Sequence, residues 1–156
     1  MSAQNRRVRL LKERKQLLLD PIPDVNVTWP ENSINEMNVE ITAPEDSIYH
    51  DDIFEVHFSF DNGYPFHAPR VTMKTPIFHP NIDNHGAICV VSLRRSFNGT
   101  VNIRQIIEEI ILALRQPNPN DQLNIAAATM MKSDPQKFEA TVREQVTKNC
   151  LQRESI

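Results

Sequence analysis

The two hydrophobic periodicities in this sequence are kept apart along the chain. Between residues 53 and 60, four apolar side chains alternate with polar ones, the period of a half-buried strand: Phe54, Val56, Phe58 and Phe60. From residue 103 onward, apolar side chains recur at intervals of three and four, the period of a core helix: Ile103, Ile106, Ile107, Ile110, Ile111 and Leu114. Strand patterns that precede the main helical patterns, without alternating with them, predict an α+β fold.

The strand region holds four short runs, at residues 26–29, 39–43, 53–60 and 71–74. Their linkers are rich in Pro, Asp, Asn and Gly, as an antiparallel meander requires. A helix is predicted before them, from Ser2 to Leu19. Its apolar stripe is predicted to consist of Val8, Leu11 and Leu18, widened by Leu10, Leu17 and Leu19.

Two more helices are predicted after the central one. The first covers Leu123–Met131, and the second begins at the "SDP" sequence of residues 133–135, where a capping residue precedes a proline. With 156 residues, the chain suits one domain with its own core, and we assign residues 1–156 to it.

Composition narrows the classes of partner and compartment. The net charge of −3 gives no field that would attract nucleic acid, so we expect no nucleic-acid partner. No apolar run approaches the roughly 20 residues of a membrane span, the start has no signal-peptide pattern, and two cysteines are too few for a disulfide framework. We therefore expect a cytoplasmic or nuclear protein with no membrane partner.

The segment Thr75–Thr100 shows neither period, yet its apolar content argues against disorder. It contains Cys89, for which the residues alone leave three interpretations open. This cysteine could be a buried core thiol, a zinc ligand with His79 and His85, or the nucleophile of a Cys–His–Asn hydrolase with His79 and Asn81. No CxxC pair supports the zinc interpretation, and we expect no metal.

Three motifs, in this order, resemble those of the ubiquitin-conjugating enzymes. "GYPFHAP" at 63–69 is similar to the YPF-x-PP loop of that family, and "HPNIDNHGAIC" at 79–89 to its active-site stretch. "PNPNDQLN" at 117–124 is similar to the PNP-x-DPL segment after the central helix. The resemblance extends from Arg6 to Lys148. It implies the family's fold: an N-terminal helix, a four-stranded antiparallel meander, a long ordered active-site loop and three C-terminal helices.

The resemblance implies a role for four residues. Cys89 would accept a ubiquitin or ubiquitin-like modifier from an activating enzyme as a thioester and pass it to a substrate lysine. Asn81 would stabilise the oxyanion or hold the active-site loop, and His79 would fix that loop. Asp121 would orient the incoming lysine. No cofactor is implied, since ATP is used by the activating enzyme.

The resemblance also implies contacts with partners. The first helix of the family meets the activating enzyme, which suggests contacts by three basic residues: Arg6, Arg9 and Lys12. Pro65 and Phe66 match the loop that RING-type ligases bind. Phe97 stands where the family has the tryptophan of a W-S-P sequence, and we include it among the predicted contacts.

Departures from the family pattern leave two questions open. Val91 stands where typical ubiquitin carriers have an acidic residue, and residues 97–99 read Phe-Asn-Gly in place of W-S-P. A catalytically weak or inactive scaffold of the same fold therefore stays an alternative to an active carrier. The "GYP" loop, "HPNID" and the final "LN" of the third motif are most similar to the neddylation carriers, with ubiquitin as the alternative modifier.

Overall fold

The computed structural model of this chain describes residues 3–94 and 97–155, and side chains from residue 5 onward. Its elements, in chain order, are α1 Ala3–Leu19, β1 Val25–Thr28, β2 Glu36–Thr42, β3 Ile53–Ser59, β4 Arg70–Met73, α2 Val91–Arg94, α3 Ile103–Arg115, α4 Ile125–Ser133 and α5 Pro135–Glu154. The predicted order of a helix, four strands, a long loop and three helices is confirmed. The predicted start of the first helix at Ser2 lies outside the described residues.

The four strands form one antiparallel sheet in the order β1-β2-β3-β4, which confirms the predicted meander. Val39 pairs with Val56 between β2 and β3, and Phe58 pairs with Val71 between β3 and β4. These side chains point to the same face and are buried in one hydrophobic cluster with residues of α3 and α5. Strand β2 begins three residues earlier than the sequence indicates, at Glu36.

The three long C-terminal helices each begin at a side-chain cap. The side chains of Asn102, Asn124 and Asp134 accept hydrogen bonds from the backbone three residues on, at 2.8, 3.1 and 3.1 Å respectively. Pro135 follows the last cap in the first turn of α5, as the "SDP" sequence predicts. Among the described residues, no helix has the length and apolarity to cross a membrane.

Helix α1 buries a different stripe from the predicted one. Leu10 and Leu17 are buried, whereas Val8 and Leu18 are 66% and 63% exposed. The third buried position is Glu13, a charged residue that a search for apolar spacing passes over. The predicted stripe was therefore wrong, since its central members lie on the solvent side of the helix.

Glu13 is buried because its carboxylate joins three parts of the chain. Its Oε1 accepts the backbone N–H of Ile103 at 2.6 Å, and its Oε2 accepts the Tyr64 hydroxyl and the Arg9 side chain. Arg9 in turn donates to the carbonyl oxygens of Gly99 and Val101, at 2.7 and 3.0 Å. A buried charge with this many partners is compensated for its loss of water.

Candidate active site

Cys89 lies half-buried at the edge of the segment between β4 and α3, and its thiol is free. Its backbone N–H donates to the carbonyl oxygen of Asn81 at 2.9 Å. Between these residues the chain turns back on itself, with Ile82 paired to Ile88 and the Asp83 N–H bonded to Ala87. The predicted irregular segment is thus a small folded unit, and it ends in the one-turn helix α2, which the sequence did not predict.

Gly86 fastens this turn to the sheet. The N–H of Met73 at the end of β4 donates to the Gly86 carbonyl oxygen at 2.8 Å. Gly86 has a φ of +89°, and a Cβ at this position would lie 2.2 Å from the Met73 carbonyl oxygen. Glycine is required here both by the backbone conformation and by the close approach of the strand.

His79 is fully buried and fixes the start of the same unit. Its Nε2 lies 2.7 Å from the Ala113 carbonyl oxygen in α3, and its Nδ1 accepts the Asn81 N–H at 3.0 Å. The second bond places the ring proton on Nε2, which then donates to Ala113. Burial lowers the pKa of His79 to about 4, so the ring is neutral near pH 7. The Tyr49 ring stacks on it, with the centroids 5.2 Å apart.

The side chain of Asn81 bridges the unit to the turn after α3. Its Nδ2 donates to the carbonyl oxygens of Asn118 and Asp121, at 2.8 and 2.9 Å. Its Oδ1 accepts the Asn118 N–H at 3.0 Å. These three bonds fix the distance between the cysteine-bearing segment and the turn that carries Asp121.

A shallow groove of about 170 Å³ lies between Cys89 and Asp121, with Asn81 and Leu112 also in its lining. The Asp121 carboxylate is held at both oxygens. Oδ1 accepts a hydrogen bond from Arg94 Nη1 at 2.8 Å, and Oδ2 accepts one from Asn118 Nδ2 at 3.2 Å. The groove therefore brings a thiol, an amide and a carboxylate to one small open surface.

This geometry bears on the three interpretations of Cys89. Both ring nitrogens of His79 are used in hydrogen bonds away from the thiol, so this histidine has no nitrogen left to act as a base or to bind zinc. The described part of the chain has no group of three His, Cys, Asp or Glu side chains placed to hold a metal ion. The thiol borders the groove and does not lie within the core.

The predicted partner contacts fall into two groups. Lys12 and Phe66 are exposed. The other four are engaged within the chain. Arg6 donates to the Asn62 side chain, and Arg9 is bonded to Glu13 and to the Gly99 carbonyl oxygen. Pro65 is buried, and Phe97 is half-buried against the core. Their contact with partners stays a prediction.

Two residues of the site were missed by sequence reasoning. Arg94 pairs with Asp121 from 27 positions away, and Glu109 accepts the Ser92 N–H at 3.0 Å at the start of α2. Arg94 belongs to the one-turn helix α2, and Glu109 supports that helix from α3. Sequence reasoning misses them because a four-residue element is too short to show a periodic pattern.

Comparisons with known proteins point to one family of enzymes. The family model "Ubiquitin-conjugating enzyme" matches residues 9–146. The chain is 36% identical to the ubiquitin-conjugating enzyme E2 13 of Saccharomyces cerevisiae, over 87% of this chain and 89% of that protein. It is 32% identical to the ubiquitin-conjugating enzyme E2 N of Drosophila melanogaster, over 92% and 95%. It is 33% identical to the NEDD8-conjugating enzyme Ubc12 of Arabidopsis thaliana, over 90% and 76%.

The family match covers the sheet, the cysteine-bearing turn and most of α5. The fold has the helix, meander and C-terminal helices that the three sequence motifs imply. This chain therefore belongs to the ubiquitin-conjugating enzyme family, whose members are transferases that form thioesters.

Proposed function

We propose that Cys89 is the residue that carries the modifier. The observation that supports this most directly is a free thiol at the rim of a groove that also presents Asn81 and Asp121. Its backbone is fixed by the bond to the Asn81 carbonyl oxygen, so the sulfur has a defined position from which to react.

Two acyl transfers make up the proposed reaction. In the first, the Cys89 thiolate attacks the modifier's thioester on the activating enzyme and expels that enzyme's cysteine thiolate. In the second, the amine of a substrate lysine attacks the Cys89 thioester, loses a proton and releases the Cys89 thiolate, which leaves an amide. Both steps exchange one acyl bond for another, so the chain needs no cofactor, and ATP is consumed by the activating enzyme.

The neighbouring residues have proposed roles that follow from their contacts. Asn81 holds the groove at a fixed width, because all three of its side-chain bonds go to the backbone of the 118–121 turn. His79 has a structural role in the same segment. Asp121 presents a carboxylate across the groove, where an approaching lysine ammonium would find an acceptor.

The modifier we propose first is ubiquitin, because two of the relatives above are named for it. The neddylation modifier is the second candidate. The three motifs resemble the neddylation carriers, and the Arabidopsis relative is named for NEDD8. The partners of this chain would be the activating enzyme that matches the modifier, a ligase of the RING or another type, and substrate proteins. We propose a cytoplasmic or nuclear location, where thiols such as those of Cys89 and Cys150 stay reduced.

A charging assay tests this proposal. The protein is mixed with ATP and either ubiquitin with its activating enzyme, or NEDD8 with its own, and the products are run on a non-reducing gel. We expect a band that a thiol reductant removes, with one modifier only. Cys89→Ser should give an oxyester band that resists reductant, and Cys89→Ala should give none.

Cys150→Ser is the matched control, because it removes the other free thiol and leaves the groove intact. It should charge like the unaltered protein. No adduct with either modifier, combined with retained modifier binding, would contradict the carrier proposal and support the scaffold alternative. A reductant-sensitive band in Cys89→Ala would place the thioester elsewhere.

A further inference from the structure

The acidic side chain that faces Cys89 is already paired with a cation of the same chain. Arg94 Nη1 lies 2.8 Å from Asp121 Oδ1, and the arginine side chain projects from the last residue of α2. This helix begins two residues after Cys89, and the Arg94 guanidinium lies close enough to the Cys89 sulfur to interact with it. The hydrogen bond to Asp121 and the nearby Cys89 sulfur raise the pKa of Arg94.

The pair is exposed enough to be broken by a competing cation. The side chains of Arg94 and Asp121 are 42% and 34% accessible to solvent. Ion pairs at this level of exposure contribute little net free energy, because water and salt screen them. The groove is also open, so a second cation could reach the carboxylate from solvent.

A substrate lysine arrives as such a cation. Its amine is protonated near neutral pH, since its ordinary pKa is about 10.4. The guanidinium of Arg94 keeps its charge at any pH of interest. The two groups therefore seek the same Asp121 oxygen, and the arginine also repels an ammonium that approaches Cys89.

We infer that Arg94 occupies the acceptor-lysine position at Asp121 and must be displaced before a lysine can be aligned with the thioester on Cys89. This inference rests on the proposed function. In the thioester the Cys89 sulfur is uncharged, so Asp121 is the anionic partner of Arg94 among those described above. Arg94 thus lowers the affinity of the charged enzyme for free amines, and a ligase or substrate that draws the arginine away would relieve the competition.

Single-turnover discharge tests the competition. The enzyme is charged with the modifier that the charging assay identifies, ATP is removed, and loss of the thioester is followed over a range of free L-lysine concentrations. Arg94→Gln should lower the apparent KM for lysine, the concentration that gives half the maximal discharge rate, about two- to fivefold, the effect expected from an exposed ion pair. It should leave the maximal discharge rate nearly unchanged. The difference should shrink in about 1 M salt.

Three further variants separate competition from a structural effect. Arg94→Lys keeps the charge and should retain the unaltered KM. Arg94→Gln should improve lysine affinity much less in the Asp121→Asn background than in the unaltered protein, because only the repulsion by Arg94 is left to relieve there. Arg104→Gln is the matched control, because Arg104 is also a part-exposed arginine paired with carboxylates, those of Glu108 and Asp20. Neither of these carboxylates lines the groove, whereas Asp121 does.

The outcomes are distinguishable. An unchanged or higher KM in Arg94→Gln, with normal charging, would overturn this inference and leave the proposed function standing. An equal gain in Arg104→Gln would show a general charge effect and would also overturn it. Absence of any thioester in all variants would overturn the proposed function, and this inference with it.

Discussion

Acid should destabilise this protein through His79, the buried histidine at the start of the cysteine-bearing segment. The ring is neutral in the folded state, with Nδ1 accepting from Asn81 and Nε2 donating to Ala113. Protonation would put a hydrogen on Nδ1, directed at the Asn81 N–H, and would place a charge at a fully buried position. The free energy of this conflict should appear as a loss of stability at low pH.

The sign and size follow from the pKa of His79. Burial lowers it from 6.5 to about 4, so the unfolded chain takes up the proton first as the pH falls. The contribution is fully present above about pH 6.5 and is lost progressively toward pH 4. A shift of this size corresponds to about 3 kcal/mol in total, of which about 2 kcal/mol should be lost by pH 5.

Urea unfolding at about pH 7.5, 6 and 5 measures the contribution of His79 to the free energy of unfolding, once the contributions of the other titrating groups are subtracted. His79→Gln supplies the subtraction, since it has no group that titrates at this position. We expect His79→Gln to be less stable than the unaltered protein at pH 7.5, and the gap to narrow by about 2 kcal/mol at pH 5. His85→Gln makes the same change at an exposed histidine and is the matched control. Parallel curves for the unaltered protein and His79→Gln would refute the reasoning.

Three further predictions concern the groups that hold the site in place. Glu13→Ala should lower the free energy of unfolding by about 3–5 kcal/mol, because it leaves the Ile103 N–H and the Tyr64 hydroxyl without their acceptor. Glu13→Gln should lower it by less, and equal urea midpoints for the two variants would contradict this. Gly86→Ala should lower both the melting temperature and the charging rate, because the new Cβ would overlap the Met73 carbonyl oxygen and the positive φ is strained for alanine. A melting temperature that matches the unaltered protein would count against the geometry at this turn. Asn81→Asp should slow discharge to lysine by up to about 100-fold, and by more than it slows charging, because a carboxylate oxygen would face the carbonyl oxygens of Asn118 and Asp121. An equal loss in both steps would show that the amide does not act by fixing the groove.

The sheet and the long helices could be predicted from the sequence because their patterns are local. The alternation at Phe54, Val56 and Phe58 places one face of β3 in the core, and those residues are buried. The cap at Asp134 depends only on neighbouring residues, and it also lies where the sequence places it. The family motifs added the position of the candidate active-site segment, which periodicity alone does not reveal.

Helix α1 shows where this reasoning fails. Apolar spacing selects Val8 and Leu18, but the helix is oriented by the polar contacts of Glu13 with groups as distant in sequence as Tyr64 and Ile103. An apolar pattern carries no information on such bonds. The α1 surface therefore presents leucine and valine side chains to solvent, where the sequence alone had placed them against the core.

The arrangement around Cys89 was predicted in outline and not in its connections. The motifs bring Asn81 and Asp121 to the site, but not the fact that the amide of one binds the backbone of the other. The pair of Arg94 with Asp121 joins two segments whose separation is set only by the folded chain. Contacts of this kind depend on distances of a few ångströms, which no spacing in the sequence encodes.

The cysteine-bearing segment is secured through main-chain atoms as well as through His79 and Asn81, and the main-chain bonds have a consequence for how such a chain can diverge. The Pro80 carbonyl oxygen accepts the N–H groups of Leu123 and Asn124, at 2.9 and 3.0 Å, and the Gly86 carbonyl oxygen accepts from Met73. Backbone groups are present whatever the side chain. Mutations can therefore accumulate just after the cysteine, as with the exposed Val91, without moving the sulfur. Lineages built on this framework can therefore change the surface beside Cys89, and with it the partners that they bind, while the Cys89 sulfur stays in place.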